Sequence, residues 1–260
     1  MRYKQVAQKA FGTGMIGLGV VGVIYGDFDG VWQLAPVSLP GLQALAYASA
    51  TLMLVCGIGL LWKRTEALAA RVLFPYWALL VLLLKIPVVV KAPLVEGSWQ
   101  AMAEIVVLFT GSWVLFTADR RAVRIAQMVF GLALIPFGLA HFVYVDQTAP
   151  LVPGWLPFHT GWAWFTGAAQ IAAGFGVLLG NFARLAAAME AAMLSAFTVL
   201  VWVPAIVSTP TNQGVWSEFT ISWAISAGAW VVAASITNMK KSPASTISTS
   251  AIIAFAGDRG

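Results

Sequence analysis

The chain contains two histidines, His141 and His159, and both fall in the stretch HFVYVDQTAPLVPGWLPFHTGWAWF. Tyr144 and Asp146 follow the first, and Trp155, Trp162 and Trp164 surround the second. Imidazoles beside a carboxylate, a phenol and several indoles have the chemistry of a polar pocket with aromatic walls. Such a pocket hydrogen-bonds an amphipathic ligand such as a quinone, and a histidine that titrates near neutrality can also pass a proton. A structural reading competes with it: both rings bond backbone carbonyls freed around Pro150, Pro153 and Pro157, because polar groups at a bundle rim find partners readily. Two histidines and Asp146 match no standard metal-ligand spacing, so no metal is expected here.

Three ionisable residues interrupt apolar runs. Lys85 lies in LLVLLLKIPVVVK, Glu104 in AMAEIVVLF and Glu190 in RLAAAMEAAMLSAF. A charge within a membrane span is expensive and is by default a functional candidate. Lys85 and Glu104 are predicted to pair, which lowers the burial cost of each. The pair would serve as a relay or an anion site, or as a structural ion pair, with a snorkelling lysine as the other reading. Glu190 would pair with Arg184 or Arg124, or snorkel. The only cysteine is Cys56, which excludes disulfides and Cys-X-X-Cys chemistry within one chain, and zinc sites with several thiolates. There is no phosphate-binding glycine loop, no HExxH and no recognisable Ser/His/Asp set. No catalytic residue is assigned, and the chain is not expected to be an enzyme by itself.

The elements that position these residues follow from composition. Apolar residues make up 60% of the 260 and charged residues 10%. Soluble domains carry about 25% charged residues. The implied class is an all-α polytopic membrane protein. Eight runs are long enough to cross a bilayer, at about 10–27, 42–62, 70–90, 100–118, 124–144, 161–180, 184–206 and 216–236. The basic residues cluster at alternate junctions: Arg2, Lys4 and Lys9; Lys63, Arg64 and Arg71; Arg120, Arg121 and Arg124; Arg184; Lys240 and Lys241. The positive-inside rule then puts both termini in the cytoplasm of a bacterial-type inner membrane. The net charge of +5 is topogenic and does not mark a nucleic-acid partner. The expected partners are the lipid bilayer and other membrane or redox subunits. The basic N-terminus reads as a retained first helix.

The chain also matches itself at a shift of 117 residues. Gly57 and Gly59 fall on Gly174 and Gly176, Pro87 on Pro204, Trp99 on Trp216 and Trp113 on Trp230. Upstream the shift is read as 114, with Gly17 and Leu18 on Gly131 and Leu132, and Ala35 and Pro36 on Ala149 and Pro150. That requires a three-residue insertion in the second half, and it sets His141 opposite Asp27. The organisation is two parallel four-helix repeats, 1–118 and 119–238, and a mobile cytoplasmic tail, 239–260. The outer loop after the first helix of each repeat is expected on the membrane surface, anchored by Trp32 and Trp155.

The segments GLALIPFGLAHFVY, TAPLVPGWLPFHTGWAWFTGAAQIAAGFGVLL, RLAA and LVWVPAI make residues 124–236 resemble the DoxX-like family of membrane proteins. Members of that family are four-helix membrane proteins, some associated with thiosulfate–quinone oxidoreductase or other redox assemblies. The resemblance implies an accessory or quinone-linked membrane subunit of a redox system, with a quinone-accepting aromatic cavity beside His141 and His159. The alternative is a transporter or permease for a small molecule or ion. That alternative requires polar groups near mid-membrane from both halves.

Overall fold

The computed structural model describes residues 2–28, 32–33, 41–180 and 182–236. The tail 239–260, Asp29, Ala35 and Pro36 lie outside them. The described chain is all-helical. Its eight long helices are α1 (Arg2–Tyr25), α2 (Leu42–Leu61), α3 (Glu66–Lys91), α4 (Glu96–Phe116), α5 (Arg120–Val143), α6 (His159–Leu179), α7 (Ala183–Ser208) and α8 (Gln213–Ser235).

Helices α1 to α7 are each long and apolar enough to cross a membrane. The eighth is as long but more polar, and it is the most enclosed: Ser217, Thr220 and Ser226 are buried along it. Local chemistry sets the ends. Asp119 accepts from the Arg121 and Ala122 amides at the start of α5, and Asn212 accepts from the Val215 amide at the start of α8. Gly180 ends α6 in the left-handed region, at φ 84°. In α3 and α7 the α-helix widens into a π-helical turn, at Val81–Lys85 and Thr198–Trp202, shortly before Pro87 and Pro204. Proline removes one helical N–H, and a π-turn absorbs the resulting misfit. The two π-turns stand 117 residues apart, so the repeat read in sequence extends to this irregularity.

Two seams are closed by glycine. A Cβ on Gly57 would come within 2.7 Å of the Gly12 carbonyl oxygen, and a Cβ on Gly174 within 2.7 Å of the Gly131 carbonyl oxygen. Gly19 faces Ala50 and Leu54 as Gly138 faces Gly167 and Ile171. Small residues at these points let the backbones of α1 and α2, and of α5 and α6, approach directly.

These contacts correct the register of the first helix. Gly12 is equivalent to Gly131 and Gly19 to Gly138, an offset of 119 residues and not 114. The segments AQKAFG and AQMVFG then coincide. The outer connection is two residues shorter in the second half, instead of three longer. His141 stands opposite Gly22, not Asp27. The exchange is a volume swap: Gly22 packs on Ala50, whereas His141 packs on Gly167, which occupies the place of Ala50.

Each helix packs on its chain neighbours, and α8 closes back onto α1. In addition α4 packs on α8. The first helix of each half therefore leans on the last helix of the other, α1 on α8 and α5 on α4. The result is two five-helix rings that share the α4–α8 edge. The ring around α1, α2 and α3 is filled by Phe11, Met15, Leu18 and Trp77, all 2% exposed or less.

Trp32 enters the same ring. It is 2% exposed and its ring centroid lies 5.7 Å from that of Trp77. Its neighbour Gln33 is 4% exposed and donates to Ser49 of α2. Trp32 is thus not a surface anchor. It is core, because α2 and α3 present Ser49, Tyr76 and Trp77 as a mixed polar and aromatic floor. Trp155, by contrast, is 73% exposed.

Candidate functional site

His141 leaves α5 near its end and is fixed by α6. Its Nδ1 lies 3.1 Å from the Ala163 carbonyl oxygen and 3.0 Å from the Thr166 hydroxyl. The Ala163 carbonyl can only accept, so Nδ1 carries the hydrogen and Nε2 is the acceptor of a neutral ring. Nε2 has no hydrogen-bond partner among the described residues. The imidazole also stacks on Phe197 of α7, with centroids 6.1 Å apart. The carbonyl partner is a helical one, not one freed by Pro150, Pro153 or Pro157. His159 opens α6 one turn before Ala163, on the same face.

The Tyr144 hydroxyl accepts from the Gly97 amide at 3.0 Å and so ties the second half to the start of α4. Asp146 is exposed on the short helical turn Val145–Thr148. Trp155, Trp162 and Trp164 are 73%, 40% and 50% exposed, so these indoles face outward and do not close over the histidines.

The ionisable residues of the apolar runs lie inside the rings. Lys85 is 2% exposed, at the end of the π-turn of α3, so it does not snorkel. It interacts through space with Glu104 of α4, which also feels Glu218 of α8. Among the described residues the Lys85 Nζ is buried without a hydrogen-bond partner, as are the indole nitrogens of Trp32 and Trp77. A polar chain runs close by: Gln33 Nε2 donates to Ser49 Oγ at 2.9 Å, and Ser49 shares a hydrogen with the Tyr76 hydroxyl at 2.6 Å. Sequence reasoning passed over Gln33, Ser49, Tyr76 and Trp77. Single polar residues in an apolar run carry no periodic signal.

In the second ring Glu190 is 1% exposed and meets Gln170 of α6, also 1% exposed. Gln170 Nε2 donates to Glu190 Oε1 at 3.4 Å. The two arginines expected to pair with Glu190 are engaged elsewhere. Arg124 donates to the Val177 and Leu178 carbonyls at the end of α6, and Arg184 lies beside Tyr3. Gln170 was legible as the one amide in GAAQIAAGFG, but only packing gives it a partner.

The halves also differ in their aromatic packing. In the first half Phe74 of α3 stacks on Phe109 and Phe116 of α4, with centroids 5.5 Å and 4.7 Å away, and Trp113 adjoins them. At the 117-residue offset these four positions hold Ala191, Ser226, Ala233 and Trp230. The three phenylalanines give way to small side chains, and one of these, Ser226, lines a cavity of about 300 Å³ between α7, α8 and α1. Ser195, Thr198, Ser226, Trp223 and Trp230 line it, with Tyr3 and Val6 across from them. Ser195 and Ser226 share a hydrogen bond of 2.7 Å, and Trp230 donates to Ser195 at 3.0 Å. Val6, Val199 and Trp223 are exposed, so the cavity opens through the flank of the helices.

Fold and interior together define an all-helical protein with polar groups sealed inside paired helix rings. The family model of a domain of unknown function, DUF8561, matches residues 130–235, which is most of the second half. No curated protein and no solved structure matches the chain.

Proposed function

We propose that the chain is an eight-span integral membrane protein that binds a quinone in its second half and acts as an accessory subunit of a redox system. The observation that carries this reading is the cavity between α1, α7 and α8. It is walled by Tyr3, Trp223 and Trp230, carries three hydroxyl side chains, and opens where an apolar ligand could enter sideways from lipid. Pockets for cofactors are mostly apolar with a few placed polar groups, and this one is at the small end of their usual volumes. The resemblance of residues 124–236 to the DoxX-like family points the same way. The Nε2 of His141, on the other flank of α7, is a second acceptor for a ligand's hydroxyl or for a proton.

The test restores the first half's own residue. Ser226→Phe places a ring where Phe109 stands in the other half. Quinone extracted with the purified protein is expected to fall about tenfold or more, since filling a packed site costs about 1–3 kcal/mol. Ser226→Ala should retain it. Full quinone content in Ser226→Phe would remove the reading.

The same proposal puts both termini on the cytoplasmic side of a bacterial-type inner membrane, because the basic junctions alternate. Single cysteines added at 120 and 154 in a Cys56→Ser background should differ: an impermeant maleimide applied to whole cells labels the second and not the first. The reverse pattern would overturn the orientation.

The transporter reading has its own support. Lys85 in the first half and Glu190 in the second are enclosed by protein instead of reaching an end, which is how transport sites are built. Proteoliposomes that give a charge-displacement current on a sodium or proton jump would favour it. Silence across both jumps would leave the quinone reading alone.

A further inference from the structure

We infer that Glu190 and Gln170 form a cation site, in which a proton or a small monovalent cation bridges the carboxylate to the amide oxygen. The inference goes beyond the quinone reading and does not rest on it.

The argument starts from an imbalance of donors and acceptors. Glu190 and Gln170 are each 1% exposed, so bulk solvent does not reach them. One hydrogen bond joins them, from Gln170 Nε2 to Glu190 Oε1. Among the described residues Glu190 Oε2 and Gln170 Oε1 are buried and without partners. Both are acceptors. An ionised carboxylate here would leave two acceptor oxygens of one hydrogen-bonded pair unsatisfied in an apolar interior, which burial penalises. Turning the amide over would only place oxygen against oxygen in the bond that exists. A hydrogen on Oε2 changes the balance. It donates to Gln170 Oε1 while Gln170 Nε2 donates to Oε1, and the acid and amide form a reciprocal pair. A small monovalent cation between the same two oxygens does equivalent work.

Among the described residues no nearby charge substitutes for that cation. The titratable groups on the helices packed against α7 are His159 on α6 and Glu218 on α8, both near the opposite end of the bundle from Glu190. On α7 itself Arg184 lies beside Tyr3 of α1. On α5, Arg124 is held by the carbonyls that end α6, and His141 is held by Ala163 and Thr166.

The scaffold does not need the polar pair. At the 117-residue offset Gln170 and Glu190 correspond to Met53 and Leu73, which are 1% and 0% exposed. The first half thus packs two apolar side chains at the same places. A carboxylate and an amide kept where the fold accepts methionine and leucine have a task other than packing.

The test uses dicyclohexylcarbodiimide, an apolar reagent that attacks protonated carboxyls in apolar surroundings, on the full chain in detergent. Peptide mapping by mass spectrometry should find Glu190 modified at acidic pH, with the yield falling as pH rises. For a proton site, sodium and lithium chloride have no effect. For a cation site, one of them suppresses labelling at fixed pH while choline chloride does not. Glu190→Gln removes the label. Gln170→Met, the first half's own residue, keeps the carboxyl but shifts the pH or salt dependence. Thermal unfolding is followed in parallel: the wild-type midpoint should respond to pH or to the protecting salt, and that response should vanish in Glu190→Gln. A Glu190 that stays unlabelled in the folded chain, with wild type and Glu190→Gln responding alike to pH and to all three salts, would overturn the site. So would labelling at one yield under every condition. Ser226→Phe leaves this readout intact if the two sites are independent, so loss of the quinone reading and loss of the cation site are told apart.

Discussion

Replacing Gly174 with leucine should abolish most of the folded protein. A Cβ at Gly174 would lie 2.7 Å from the Gly131 carbonyl oxygen, which belongs to the backbone of α5 and cannot rotate aside. Relief requires the two helices to part along the seam that also holds Gly138 against Gly167. Overpacking usually costs about 1–3 kcal/mol, and a backbone obstacle puts this substitution at the upper end or above it. The effect should reach past the seam, because His141 packs on Gly167 and donates to the Ala163 carbonyl. The check is the yield of monodisperse protein in detergent and its midpoint of thermal unfolding. Gly57→Leu should behave alike, since a Cβ there meets Gly12 at the same distance. Gly154→Ala is the control, for a Cβ at that position meets nothing within 4 Å. A stable Gly174→Leu protein would mean that the close seams do not hold the helix pair within each half together.

The second large effect is expected at Trp32. Its side chain is 2% exposed and packs on Trp77, itself fully buried. Truncation to alanine leaves a void in the first ring and releases Gln33 from Ser49 and, through it, from Tyr76. Loss of a buried tryptophan costs about 3–5 kcal/mol. Trp155→Ala removes a side chain that is 73% exposed and should stay within about 0.5 kcal/mol of wild type. Thermal unfolding of the two variants side by side decides the matter. Equal small losses would show that Trp32 is no more embedded than Trp155.

That contrast shows where sequence reading stops. Trp32 and Trp155 look alike in a linear text: each is an aromatic residue in a proline-rich loop after the first helix of a repeat. Only the presence of Ser49, Tyr76 and Trp77 on neighbouring helices draws one of them inside. The histidine rim tells a similar story. The sequence put His141 at the end of the fifth span and His159 at the start of the sixth; in the structure His141 of α5 bonds the Ala163 carbonyl, one turn after His159 along α6. It could not say that Trp155, Trp162 and Trp164 turn outward, because side-chain direction depends on helix rotation. The alignment of the first helix was within reach of the sequence. AQKAFG and AQMVFG match at 119, but a coincidence of Gly-Leu and Ala-Pro pairs at 114 hid them until the glycine contacts fixed the register.

The sequence by itself determined the eight long helices and the 117-residue echo between the halves. Each follows from local information: apolar run length sets a helix, and Gly, Pro and Trp at fixed spacing set its bends and close approaches. Tertiary structure alone decided that α1 leans on α8 and α5 on α4, that Trp32 is core, that Glu190 meets Gln170 and not an arginine, and that a cavity opens beside Ser226, where the first half has Phe109. Those outcomes depend on which faces of distant helices meet, and facing is a property of the packed whole that no single run of residues contains.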